Sequence, residues 1–256
     1  MTQQPNNPTT QTNNAMKNCL PLFNHKMAAR VTAAFQTITE MAEPSHADAA
    51  PSGNRLNHHA VFVHDYGSAF LQHKAVDGRR RIVLIVDFSG SMSGMWTMMG
   101  GAEFVWGLMQ FARQGDVDLR VILTGSSKGP ALLPNNLPFE VFCSLFPGHG
   151  QEAFRATMLH PFTASLMEDA DMTICWTDGY LTDGYVDAVE WRAKGINVIG
   201  AVIGSPKTEV RTRKGVFGLL ALMQSYFHAG FVNSDPSKLA SLIATHIANT
   251  PIRDLA

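Results

Sequence analysis

Three cysteines in 256 residues are too few and too scattered to brace a fold. Cys19, Cys143 and Cys175 show no Cys-x-x-Cys spacing, so neither a disulfide framework nor a thiolate zinc site is expected. Cys175 lies in an apolar run and reads as a small core side chain. A reducing, cytoplasmic setting follows. No apolar run reaches membrane-spanning length, so no membrane segment is expected. The first residues carry Gln, Asn and Thr where a secretory leader has a basic end and an apolar stretch, which argues against export. Charge of either sign is scarce: charged residues make up 16% of the chain and the net charge is −1. Bulk attraction to nucleic acid or anionic lipid is therefore excluded as an organising principle.

Motifs of catalysis are missing too. There is no Gly-x-x-x-x-Gly-Lys-Ser/Thr run and no His-Glu-x-x-His, which removes a phosphate-binding loop and the common metalloprotease site. Gly90-Ser91-Met92-Ser93-Gly94 puts methionine where a hydrolase elbow needs its serine. Asp87 has Ser89 two residues on, where phosphoryl transfer through an aspartate would want a second acid. No catalytic residue is assigned. His58, His59, His64 and His73 match no zinc spacing, and Arg79-Arg80-Arg81 reads as a charged hairpin end.

What is present is apolar: 45% of the residues, enough for a sizeable core. Residues 1–16 are polar and low in complexity, a tail expected to be disordered. Residues 17–68 form an N-terminal extension. Met27, Val31, Ala34, Phe35, Ile38 and Met41 space out an amphipathic helix over 26–41, and a linker rich in Ala, Pro, Ser and Gly follows. The main domain spans 69–250, with a short tail at 251–256. Asp77-Gly78, between Ala69–Lys74 and the run Ile82-Val83-Leu84-Ile85-Val86, suggests a hairpin that lays an antiparallel strand beside the first central one. Met95–Arg113 is apolar almost all round and reads as one buried helix. Further on, Val117–Leu123, Asp171–Thr177, Ile196–Ile203 and Phe227–Val232 read as strands. Leu137–Phe146, Glu152–Glu168, Tyr185–Lys194 and the segment after Ser234-Asp235-Pro236 read as helices. Strands alternating with helices give an α/β fold: a doubly wound, mostly parallel sheet, helices on both faces, one antiparallel edge strand and the N-terminal helix.

The chemistry concentrates at two strand ends. Asp87-Phe88-Ser89-Gly90-Ser91 leaves the strand 82–86, and Thr177-Asp178-Gly179 leaves the strand 171–177. Carboxylates and hydroxyls are hard oxygen donors, suited to Mg²⁺ or Mn²⁺, and the C-terminal edge of an open α/β sheet is where ligands bind. The bland alternative is a polar loop in which the serines merely cap the next helix. Met92, Met95, Met98 and Met99 follow the first loop; core packing is the first reading for them, an adaptable partner surface the second.

The Asp-x-Ser-Gly-Ser-Met and Thr-Asp-Gly pair resembles the metal-ion-dependent adhesion site of von Willebrand factor A (VWA) domains. The flanks are most similar to the C-terminal VWA domain of the cobaltochelatase T subunit: Arg55-Leu56, Asp65 and Phe70-Leu71-Gln72-His73-Lys74 upstream, Gly150-Gln151-Glu152-Ala153 in the middle, Phe231-Val232-Asn233-Ser234-Asp235 with Lys238-Leu239 downstream. The resemblance implies Mg²⁺ (or Mn²⁺) held by Asp87, Ser89, Ser91 and Asp178. Glu152 stands where the family offers a threonine, and ligand or first-turn helix acid are equal readings for it. The resemblance further implies a protein-interaction module that acts as adaptor or regulator of a ring-forming AAA+ ATPase of the MoxR or chelatase type, with ATP hydrolysis in the partner. The alternatives are a non-ATPase subunit of a chelatase that inserts metal into a tetrapyrrole, and a metal-dependent hydrolase.

Overall fold

The computed structural model describes residues 23–41, 47–50, 55–56, 70–73, 80–115, 117–124, 129–145, 154–180, 188–212 and 215–250. The expectations for the terminal tails, for Asp77-Gly78, for Gly150–Ala153 and for His58, His59 and His64 lie outside them.

A six-stranded sheet carries the fold. Its strands are β4 (Arg80–Val86), β5 (Val117–Leu123), β6 (Ala131–Leu133), β7 (Met172–Trp176), β8 (Val198–Ile203) and β11 (Ala229–Asn233). They lie in the order β11-β8-β7-β4-β5-β6. All neighbours are parallel except β6, which runs antiparallel to β5 and forms one edge. Central strands buried on both faces need apolar residues throughout, and every residue of β7 and β8 is buried.

The central strands divide their side chains between two cores. Ile82, Leu84 and Val86 point to one, Val83 and Ile85 to the other. The first face carries α1 (His25–Met41), α3 (Gly101–Arg113) and α9 (Pro236–Ala248), through Phe35, Phe104 and Ile243. The second carries α5 (Phe154–Leu159), α6 (Pro161–Glu168), α7 (Ala188–Ala193) and α8 (Leu219–Tyr226), through Phe154, Met167, Trp191 and Leu222. α4 (Phe139–Ser144) joins the first face through Phe142. The sheet is doubly wound, as the alternating pattern predicts.

The N-terminal helix is part of this core. Ala28, Val31, Phe35 and Ile38 are buried in it at helical spacing. Asn24 caps the helix, accepting from Met27 N–H at 3.0 Å, and its own N–H donates to the buried Glu103 at 2.7 Å. Gly107 makes the close approach possible, because a Cβ there would stand 2.6 Å from Val31 Cγ1.

The structure corrects three details. The strand β3 (Phe70–His73) pairs with β1 (Ala47–Ala50) and β2 (Arg55–Leu56) in a separate antiparallel sheet. It cannot be a hairpin partner of β4, whose two edges are taken by β5 and β7. The antiparallel edge strand is β6 instead. The apolar stretch 95–113 is two helices, α2 (Ser93–Thr97) and α3. Gly100 separates them at a left-handed φ of 81°, held against Pro236 at the start of α9. The segment ending at Glu168 is likewise interrupted. Pro161 has no N–H to continue α5, so His160 starts α6 anew by accepting from Phe162 N–H.

Candidate functional site

The order of strands places a switch point between β4 and β7. The chain leaves β4 toward α3 on the first face and leaves β7 toward α7 on the second. Such a divergence opens a crevice at the C-terminal strand ends. Asp87 and Asp178 stand there. Val86 is in register with Trp176, and Asp87 N–H donates to Trp176 carbonyl at 2.8 Å, so the ladder runs directly into the two acidic loops.

Local hydrogen bonds shape each loop. Asp87 Oδ1 accepts from Ser89 N–H at 3.0 Å, Asp178 Oδ1 from Tyr180 N–H at 2.8 Å, and Thr177 Oγ1 from Gly179 N–H at 3.1 Å. These are the tight turns that Asp and Thr side chains build with their own backbone. Gly179 adopts a φ of 84°, and a Cβ on it would stand 2.7 Å from Leu219 Cδ1. The turn after Asp178 therefore requires glycine twice over. Beyond Ser89 a single 3₁₀ turn (Gly90–Met92) leads into α2.

The loops are also tied to one another. Thr177 Oγ1 donates to Asp87 Oδ2 at 2.9 Å, and both residues are buried. On the other side Phe88 N–H donates to Thr124 Oγ1 at 2.9 Å, at the end of β5. The sequence marks Thr177 only as the first residue of Thr-Asp-Gly and gives Thr124 no role. Their position directly after a buried strand was the available signal. Beneath the loops Trp96 and Trp176 meet edge to face at 4.3 Å between centroids, with Phe88 against Trp96.

Asp87 is 1% exposed. Burial pushes its carboxyl up to about 6; hydrogen bonds from Ser89 and Thr177 pull the other way, and the nearby charge of Asp178 raises it further. Asp178 and Ser89 are each 5% exposed, whereas Ser91 faces solvent. The hydroxyls of Ser89 and Ser91 share a hydrogen bond, Oγ to Oγ at 2.9 Å.

This donor set fits a small hard cation. The hydrogen-bonded serine oxygens, 2.9 Å apart, could both reach one ion without moving far, since adjacent ligands of an octahedron with metal–oxygen distances of about 2.1 Å are separated by roughly 2.9–3.0 Å. A dication would also offset the burial and the neighbouring charge of Asp178 that disfavour the ionised form of Asp87. Among the described residues no group of three or more His, Cys, Asp or Glu side chains that could hold a metal ion converges; an ion here would have to draw on the serine hydroxyls as well. The region of Glu152 is outside the described residues. Of the methionines after the first loop, Met92 is buried, as core packing expects, Met95 is half-buried, and Met98 and Met99 are exposed.

Among the described residues no helix is long and apolar enough to cross a membrane. No family model matches the chain, and no curated protein matches it by sequence. Solved structures do match. Proximal thread matrix protein 1 from the mussel byssus aligns at 17% identity and a TM-score of 0.42, over 67% of this chain and 47% of that one. The chain thus spans about half the length of that protein. An aerotolerance-related membrane protein from Bacteroides fragilis aligns at 16% identity and a TM-score of 0.42, over 67% of this chain and all (100%) of that one. An uncharacterized membrane spanning protein from Vibrio fischeri aligns at 19% identity and a TM-score of 0.22, over 67% of this chain and 100% of that one.

Proposed function

We propose that the chain is a VWA-type interaction module whose C-terminal sheet edge binds Mg²⁺ and, through it, an acidic group of a protein partner. The observation that carries this reading is the convergence of Asp87 and Asp178 on adjacent parallel strand ends, beside a serine pair with ligand-edge spacing. Ser89 and Ser91 offer neutral oxygens to the ion, and Asp87 and Asp178 offer charge. Thr177 and the turn at Gly179 keep the carboxylates aimed. Bound there, the cation supplies an open coordination position for an external carboxylate. Ser91, the solvent-facing member, marks the side from which the partner approaches. The partner we assign is an AAA+ ATPase of the MoxR or chelatase type, for which this chain acts as adaptor or regulator.

Titration calorimetry with Mg²⁺ and Mn²⁺ tests the ion, using wild type, Asp87→Ala and Glu152→Ala. Binding by wild type and its loss in Asp87→Ala are expected; identical behaviour of those two ends the proposal. The Glu152→Ala arm decides whether that residue contributes. Pull-down of a purified MoxR-type ATPase with and without chelator then tests whether capture depends on the ion.

A further inference from the structure

A groove of about 500 Å³ opens where the start of α1, the junction of α2 and α3, and the start of α9 meet. Asn24, Met27, Met98, Met99, Glu103 and Asp235 line it. It lies at the same edge of the sheet as the candidate site. Asp235 follows the C-terminal end of β11, and the parallel order leads from β11 through β8 and β7 to β4. The chain runs from Ser91 to Met98 through the 3₁₀ turn and α2, a rise of about 10 Å. Met98 is 83% exposed and Met99 is exposed beside it. Flexible thioethers at a surface adapt to whatever packs on them. With them stand two carboxylates, and the lining holds no Lys or Arg. Asp235 accepts from Ser237 N–H at the start of α9 and meets Arg30 at 3.4 Å, a partly exposed pair of small energy. Glu103 is nearly enclosed, and its carboxylate accepts from Asn24 N–H at 2.7 Å. Burial pushes that carboxyl above its usual range; the Asn24 N–H and the charge of His25 pull it back only in part. A cation brought into the groove offsets that cost.

We infer that this groove is a second docking point for the same protein partner and takes the side chain of one of its lysines or arginines. The inference rests on the reading of the sheet edge as a partner-capturing surface. Charge complementarity selects a basic head group, and the methionines receive the aliphatic stem that such side chains bury behind their charge. An acidic side chain would meet Glu103 and Asp235 as like charges. A purely apolar one would bury the Glu103 carboxylate further without pairing it. An extended partner segment rises about 3.3 Å per residue, so a basic residue three positions from an acid held by the ion reaches the groove.

The test is NMR titration of the full chain labelled with ¹³C at its methionine methyls, in Mg²⁺ and in EDTA. The probes are a blocked alanine heptapeptide carrying one Glu and, three residues on, one Lys, and its counterpart with norleucine for the Lys, which keeps the stem and drops the charge. The lysine peptide moves the methyls of Met27, Met98 and Met99 and leaves that of Met158, buried in the second core, in place. The norleucine peptide binds at least about tenfold more weakly. Glu103→Gln keeps an acceptor for Asn24 and abolishes that preference. Met98→Lys, at a position too exposed to disturb folding, does the same by placing a cation at the groove. Circular dichroism verifies that both variants are folded. The preference for lysine persists in EDTA and in an Asp87→Ala background, where the peptide's glutamate no longer contributes, so failure of the metal site and failure of the groove are read separately. Unmoved methyls at all three methionines, equal affinity for the two peptides, or an undiminished preference in both variants overturns the inference. So does n-butylamine that binds there as tightly as the peptide, which would mark a small-amine site.

Discussion

Thr177 donates a hydrogen bond to Asp87 across the boundary between two strands, Oγ1 to Oδ2 at 2.9 Å. The loop after β7 is thereby fastened to the loop after β4, and the two halves of the candidate site are set as one unit. Thr177→Val keeps the volume and removes the bond. A hydrogen bond to a buried carboxylate is worth about 1.5–3 kcal/mol, and partners that orient metal ligands affect affinity by about 10–100-fold. The variant should unfold at lower denaturant concentration and bind Mg²⁺ more weakly, as read by denaturation and calorimetry on the same preparation.

Asp87 makes the metal-free protein pH-sensitive in an unusual direction. Its folded-state pKa is raised from 3.8 to about 6, so between those values the native state holds the proton more tightly than the unfolded chain. Stability from this group therefore falls as pH rises through that window, by up to about 3 kcal/mol, and stays low above it. Urea denaturation in EDTA from pH 4 to 7 should show the decline, and Asp87→Asn should flatten it. With Mg²⁺ present the decline should shrink: the ion competes with the proton for the carboxylate, and its affinity should weaken below about pH 6.

Gly179 tests the geometry of the second loop. Its φ of 84° strains any L side chain, and a methyl group there would have to push Leu219 Cδ1 aside from 2.7 Å. Gly179→Ala should cost about 1–3 kcal/mol and, by displacing the turn that holds Asp178, lower Mg²⁺ affinity. An unchanged calorimetric titration would show that the turn does not position the carboxylate.

Phe35 measures how far the N-terminal helix belongs to the domain. It is fully buried and stacks with Phe111 at 6.1 Å and edge to face with Phe104 at 5.9 Å. Phe35→Ala should destabilise the whole domain by about 3–5 kcal/mol in a single transition. A separate early transition, with the remainder unchanged, would mark the helix as an appendage.

Much of this arrangement was legible in the chain because strand ends advertise themselves. Asp87 and Asp178 each follow a short run of buried apolar residues, and that abrupt change from apolar to acidic located both loops. The parallel order placed them on one edge. Other features escaped for physical reasons. The interruption at Gly100 depends on Pro236, more than a hundred residues away in sequence, so apolar periodicity alone joined α2 to α3. The strands β9 (Glu209–Thr212) and β10 (Gly215–Gly218) are short, with Val210 buried between exposed neighbours, too little for a periodic signal. The dipeptide Asp77-Gly78 suggested a partner for β4, but a parallel strand with both edges occupied admits none. Thr177 went unassigned because a threonine's role lies in its acceptor, which only the fold reveals.

Crystals of the full chain soaked in Mn²⁺ test the central claim most directly, through anomalous scattering from the ion. The account predicts one strong peak between the C-terminal ends of β4 and β7, within ligand distance of Ser89 and Ser91 Oγ and absent in Asp87→Ala. Strong manganese peaks elsewhere, with none in that crevice, would contradict it.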